Sequence, residues 1–266
     1  MRIAVVGKGG AGKSVIAGTT ARLLARDGKR VLALDSDLLP GLSISLGSGP
    51  DPVDPPLNQA AEKGENGRWR LRQGVNVVGA VKRYTTEAPD GVRLMQIGKS
   101  GKEGIQPIMG SINAYYKMVH RLRDAKTFRD WEMVADLPAG PRQVAFDYAP
   151  FAETYLVVVQ PGSQSALTAR RVAKIARMRG GTEVRFVANR VKGKRDTAHV
   201  ERLIGEQVFW SLPADEGVAE AERLGIAPID HVPDSPTIAG IGELVAALAS
   251  LEGQGQPMKS SNGVSS

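Results

Sequence analysis

The residues best suited to chemistry lie near the start of the chain, in Gly7-Lys8-Gly9-Gly10-Ala11-Gly12-Lys13-Ser14. Two patterns overlap there. Gly7, Gly9 and Gly12 satisfy G-x-G-x-x-G, the turn of a dinucleotide site, and Asp35 follows at about the distance of a ribose-binding acid. The same stretch satisfies G-x-x-x-x-G-K-S, a phosphate-binding loop, which also demands Lys13 and Ser14. The second pattern is the more specific, and a dehydrogenase has no use for that lysine and serine. Glycines allow consecutive backbone N–H groups to point inward around phosphates, where a helix N-terminus adds positive potential. Gly9, Gly10, Ala11, Gly12, Lys13, Ser14 and Val15 are the expected nucleotide-binding residues. Lys13 would bridge the β- and γ-phosphates and the Ser14 hydroxyl would ligate Mg²⁺, so ATP and Mg²⁺ are the expected cofactors. The alternatives are a dinucleotide-binding oxidoreductase and a glycine turn that binds nothing.

Acids recur at the ends of apolar runs. Asp35-Ser36-Asp37 follows Val31-Leu32-Ala33-Leu34, and Asp136-Leu137-Pro138-Ala139-Gly140 follows Met133-Val134-Ala135. Such acids can serve a site at a strand's carboxyl end or cap the next segment. The sequence has no cysteine, which excludes disulfides, thiolate metal sites and cysteine nucleophiles, and which fits a reducing cytoplasm. His120, His199 and His231 show no metal-ligand spacing.

The elements that must carry these residues are legible from periodicity. Residues 3–7 predict a strand, residues 15–25 a helix closed by Gly28, and residues 31–34 a second strand, a βαβ start that implies a parallel sheet. Further strands are predicted at 75–81, 132–136, 155–159 and 184–189. Helices are predicted at 111–125, from after 159 to about 179, at 197–206 and at 238–251. Residues 47–70, rich in Gly, Pro, Asp and Asn, read as a surface loop or insertion. The expectation is one doubly wound α/β domain over residues 1–251, with a mostly parallel sheet and helices on both faces. The Gly/Ser-rich residues 252–266 read as a disordered tail.

Composition limits the function classes. A length of 266 residues and 42% hydrophobic content suit one large core. No apolar run approaches the roughly twenty residues of a membrane span. The N-terminus reads as a strand and not as a signal peptide. The net charge of +7 admits an acidic partner such as nucleic acid, but the basic residues are widely spread, which favours a solvated surface.

Lys8, the second lysine of the loop, makes it resemble the deviant Walker A motif of MinD/ParA-like ATPases. In that family the early lysine reaches the partner subunit's nucleotide, so the resemblance implies a homodimer in the ATP state. A second cation there would stabilise charge developing in phosphoryl transfer. Asp35-Ser36-Asp37 resembles the family's first switch, which implies that Asp37 positions the attacking water and that Asp35 lies close to the Mg²⁺ shell. Asp136-Leu137-Pro138-Ala139-Gly140 resembles the second switch, where the aspartate holds Mg²⁺ through water. Asn189 resembles the asparagine that reads adenine, and Leu212-Pro213-Ala214-Asp215 the nearby base-contacting loop, which brings in Pro213 and Asp215.

Within the family the sequence is most similar to CooC-type maturation factors of nickel carbon-monoxide dehydrogenase. Residues 92–99 with the helix through Leu122, and residues 155–161 through Arg171, carry that likeness. It implies an unidentified client protein. CooC-type proteins place a C-x-C metal pair before that helix. Residues 103–110 here contain no cysteine, and Met109 is a poor ligand for Ni²⁺ or Zn²⁺, so nickel handling does not carry over. A basic stripe of Arg170, Arg171, Lys174 and Arg177 motivates a rival function, a ParA-like dimer that coats DNA. The polar C-terminus lacks the basic amphipathic helix with which MinD proteins lie on a membrane, so no membrane partner is expected.

Overall fold

Parallel strands need a crossover between them, and the chain supplies one after nearly every apolar run. The computed structural model describes residues 1–38, 41–49, 56–97 and 105–255. β1 (Arg2–Gly7) leads into α1 (Lys13–Arg26), and β2 (Val31–Asp35) returns to the same sheet. There follow α2 (Leu42–Leu46), a small hairpin of β3 (Ala61–Lys63) and β4 (Trp69–Leu71), and α3 (Val77–Arg83). β5 (Thr86–Glu87), β6 (Arg93–Gln96) and α4 (Ile105–Leu122) come next, then β7 (Glu132–Asp136) and α5 (Arg142–Ala145). β8 (Thr154–Val159), α6 (Ser163–Arg179), β9 (Glu183–Val191) and α7 (Lys194–Ile204) continue the alternation. β10 (Trp210–Pro213), α8 (Glu216–Leu224), α9 (Pro228–His231) and α10 (Pro236–Gly255) complete it.

The main sheet has the order β10-β9-β8-β1-β7-β2-β6-β5, parallel throughout except for edge strand β5. Alternate residues of each strand serve opposite faces. Ala4 and Val6 face a core with residues of α4, α6 and α7, whereas Ile3 and Val5 face one with residues of α1, α2, α8 and α10. The result is a single α/β domain with helices on both faces.

Several boundaries differ from the sequence expectation. Residues 75–81 are not a strand: Val77–Arg83 is a helix, and the Asn76 side chain caps it by accepting a 2.8 Å hydrogen bond from the Gly79 amide. The run of valines suggested β structure, but the cap and the burial of Ala80 and Val81 on one helical face won. The stretch 47–70 is not only loop. Leu57 is fully buried, and Ala61–Lys63 pairs with Trp69–Leu71. α4 begins at Ile105 and ends at Leu122, earlier at both ends than the expected 111–125. α10 runs through Gly255, so residues 252–255 are helical, and the rest of the expected tail lies outside the described residues. Gly28 closes α1 as expected, with φ of 76° and its amide bonded to the Ala25 carbonyl at 2.9 Å.

Candidate nucleotide-binding site

β7 lies between β1 and β2, so three strand ends converge. Register pairs Val5 with Asp136 and Asp35 with Asp136, which sets the two acids side by side at the mouth of the loop 7–14. This is the carboxyl edge of a parallel sheet, where open α/β folds bind ligands.

Backbone freedom shapes the loop. Gly7 crosses so close to β8 that a Cβ would lie 2.6 Å from the Val158 carbonyl oxygen. Gly12 has φ of 90°, and a Cβ there would lie 2.3 Å from Asn189 Nδ2. Only glycine meets both demands. Lys13 is the first residue of α1 and is buried; its Nζ donates to the Lys8 carbonyl at 3.4 Å. The Ala11 amide also donates to the Lys8 carbonyl, at 3.2 Å, while the Lys8 side chain itself is half-buried. The segment after β7 docks on the loop, with the Gly140 amide donating to the Gly7 carbonyl at 3.0 Å.

The Ser14 hydroxyl donates to Asp136 Oδ2 at 2.5 Å, and Asp136 Oδ1 is buried with no hydrogen-bond partner among the described residues. Asp35 is fully buried; its oxygens accept from the Asp37 amide at 3.0 Å and the Leu42 amide at 3.3 Å. It therefore braces the segment that carries Asp37, which is half-buried. Burial, and then the neighbouring Asp136, push the Asp35 carboxyl well above the usual range. Burial likewise pushes Asp136 up, to about 6, although the Ser14 hydrogen bond and the Lys13 charge pull the other way. Two buried carboxyls that resist ionisation, one with an unpartnered oxygen, fit an added divalent cation. An all-oxygen donor set suits Mg²⁺. Ser14 and Asp136, with Asp35 behind them, would hold it.

The residues expected at the base lie together on the other side of the loop. Val15, Asn189, Pro213 and Asp215 line a cleft of about 20 Å³, across which Arg190 pairs with Glu222 at 2.9 Å. Asn189 Nδ2 donates to the Ala11 carbonyl at 2.7 Å, and Asp215 caps α8 by accepting from the Gly217 and Val218 amides. In this state both side chains serve the protein's own backbone. Gln160, read from the sequence only as part of the likeness at residues 155–161, was given no place in the site: its Nε2 donates to the Gly10 carbonyl at 3.1 Å and ties the end of β8 to the loop. Its place just after the apolar run 155–159 was the available signal.

A second cavity, of about 420 Å³, opens beside the acids and is lined by Ser36, Leu38, Tyr116, Arg142, Phe146 and Tyr148, among others. Leu38 and Phe146 are exposed there. Met109, in the stretch that lacks the C-x-C pair of CooC-type proteins, is also exposed on its rim. No group of three or more His, Asp or Glu side chains placed to hold a metal ion occurs among the described residues.

Residues 3–229 match the model of the CobQ/CobB/MinD/ParA nucleotide-binding domain. The chain belongs to this family. Among curated relatives it is 26% identical over 248 residues to the carbon monoxide dehydrogenase accessory protein CooC of Rhodospirillum rubrum, covering 88% of this chain and 91% of that one. It is 27% identical over 243 residues to the chromosome-partitioning ATPase Soj of Thermus thermophilus, covering 86% and 87%. The cell-division ATPase MinD of Pyrococcus furiosus superposes with a TM-score of 0.71 at 22% identity, covering 94% of this chain and 99% of that one. MinD of Pyrococcus horikoshii, complexed with Mg-ADP, gives 0.72 at 20% identity, covering 96% and 98%. Family membership makes the chain a nucleotide-binding domain, with ATP and Mg²⁺ as its cofactors. No helix of the described residues is long and apolar enough to cross a membrane.

Proposed function

We propose that the protein is a Mg²⁺-dependent ATPase that dimerises around ATP and in that state engages a client protein. The observation that carries this reading is the Ser14–Asp136 contact at the foot of the phosphate loop, beside buried Lys13 and the second lysine, Lys8. Bound Mg²⁺ would supply charge neutralisation at the phosphates. The chain's own residues do the rest. The loop amides of Gly9 through Val15 bind phosphate oxygens, Lys13 orients the terminal phosphates, and Asp37 positions the attacking water. Asn189, Pro213 and Asp215 hold the base, and Lys8 completes the partner's site. Dimerisation is supported by the exposed apolar cavity beside the acids. Besides α4, its walls come from the segments that follow Asp35 and Asp136, the two segments that a γ-phosphate would reorder. The similarity to an accessory protein supports a client in place of a free-standing ATPase.

The test is oligomeric mass by light scattering without nucleotide, with ADP and with ATP, using Asp37→Ala to slow hydrolysis. A dimer with ATP alone is expected, lost in Lys8→Ala, which should still bind ATP. Lys13→Ala should bind none, and unchanged ATP affinity in that variant would remove the site assignment. The basic face of α6 favours a second reading, an ATP-bound dimer on DNA. It predicts a gel shift that requires ATP and weakens steeply with salt.

A further inference from the structure

Leu167, Arg170, Arg171, Lys174, Arg177 and Met178 follow one another along α6 at spacings that place them on one face of the helix. The opposite face, with Ala169, Val172, Ala173 and Ala176, is buried in the core. Together with Ile204 and Glu206, at and just beyond the end of α7, the outer face forms an open groove of about 720 Å³. One cation in it is matched: Arg177 donates to both oxygens of Glu206, at 2.7 and 2.6 Å. This pair shows how a carboxylate seats in the groove. Arg170, Arg171 and Lys174 are exposed and have no carboxylate partner among the described residues.

Charge alone would suit a phosphate backbone. The apolar residues decide otherwise. Leu167 is 47% exposed and Met178 77% exposed, and they stand at the two ends of the cationic row. A phosphate backbone gives neither of them cover, whereas an amphipathic protein segment covers both while its acids meet the cations. They stand eleven positions apart, about 16 Å along the helix, the length of three turns of a docked helix.

We propose that this groove docks an acidic amphipathic helix of a partner protein, with its carboxylates on Arg170, Arg171 and Lys174 and an apolar side chain against Leu167 and Met178. The inference adds the client's chemistry to the proposed switch and does not depend on hydrolysis. α6 is nonetheless tied to the loop 7–15 at its start and to the segment after α5 at its end. Gln160, just before it, holds the Gly10 carbonyl, and Arg179, its last residue, pairs with Asp147 at 2.6 Å just past α5.

The experiment is fluorescence anisotropy with a labelled helical peptide carrying glutamates on one face between two leucines. Its controls are an equally charged peptide with serines for the leucines, and a short duplex DNA. The leucine peptide should bind, and the serine peptide about tenfold more weakly. Reversing Arg170, Arg171 and Lys174 to Glu should cost about tenfold or more, and Leu167→Ser with Met178→Ser a further severalfold. ATP affinity, measured in each variant, should stay unchanged, so that failure here is distinct from failure of the nucleotide site. The proposal is overturned if the two peptides bind alike, or if neither binds. It is equally overturned if DNA binds more tightly than the leucine peptide and ignores the Leu167 and Met178 changes.

Discussion

At the residue scale the site rests on positions that have no slack. Gly12 combines a left-handed φ of 90° with an absent Cβ that would meet Asn189 Nδ2 at 2.3 Å. Gly12→Ala is therefore expected to weaken ATP binding about tenfold or more by calorimetry, while circular dichroism shows the fold retained. The acidic pair gives a second expectation. Both carboxyls titrate higher in the folded protein than in the unfolded chain, so the folded state holds more protons. Stability must then fall as pH rises from about 4, where an unfolded aspartate titrates, through about 6, where Asp136 does. Asp136→Asn removes one of these charges. Its melting temperature without nucleotide should exceed the wild type's by about 2–8 °C at pH 7, with the gap closing toward pH 4. Added Mg²⁺ should narrow the gap by stabilising the wild type. A gap independent of pH would separate its cause from ionisation.

At the element scale, α1 and α2 are in contact at a glycine. A Cβ on Gly18 would lie 2.7 Å from the Ser45 Cβ and 2.8 to 2.9 Å from its backbone carbonyl. Alanine in place of a mid-helix glycine ordinarily gains about 1 kcal/mol. Here it must displace α2, whose first residue, Leu42, donates to Asp35. Gly18→Ala is expected to cost about 1–3 kcal/mol in urea unfolding instead. A gain in stability would show that α2 shifts freely, and that the brace between Asp35 and the segment bearing Asp37 is softer than its hydrogen bonds imply.

At the scale of the whole molecule, one buried cation joins distant parts of the chain. Arg22, in the middle of α1 and 3% exposed, contacts Asp90 and Asp230 and donates to the Leu46 carbonyl at 2.8 Å. These partners come from the turn before β6, from α9 and from the end of α2. Removing one member of a buried ionic cluster costs about 3–5 kcal/mol, discounted here because both acids are partly exposed. Arg22→Ala should lower stability by about 2–4 kcal/mol while preserving a single cooperative transition. Two separate transitions in calorimetry would mean that α9 and its surroundings unfold independently of the phosphate-loop half.

The sequence by itself determined the glycine-rich loop between β1 and α1, the βαβ start, the acids at the strand ends and the mostly parallel sheet. All of these rest on local signals: glycines at fixed spacing, apolar runs about five residues long, and a lysine and serine that only phosphate chemistry uses. It could not determine strand order, so nothing in it showed that β7 separates β1 from β2 and sets Asp35 beside Asp136. It misread residues 75–81, where β-prone valines were overruled by a cap on Asn76 and by packing against α4. It marked the basic stripe of α6 but not the exposed Leu167 and Met178 that frame it. Nor could it show that Asn189 and Asp215 spend their hydrogen bonds on the protein's own backbone. Each of these depends on which groups meet after distant segments pack, and that is set by the burial of both sheet faces, a property of the whole chain and of no single window in it.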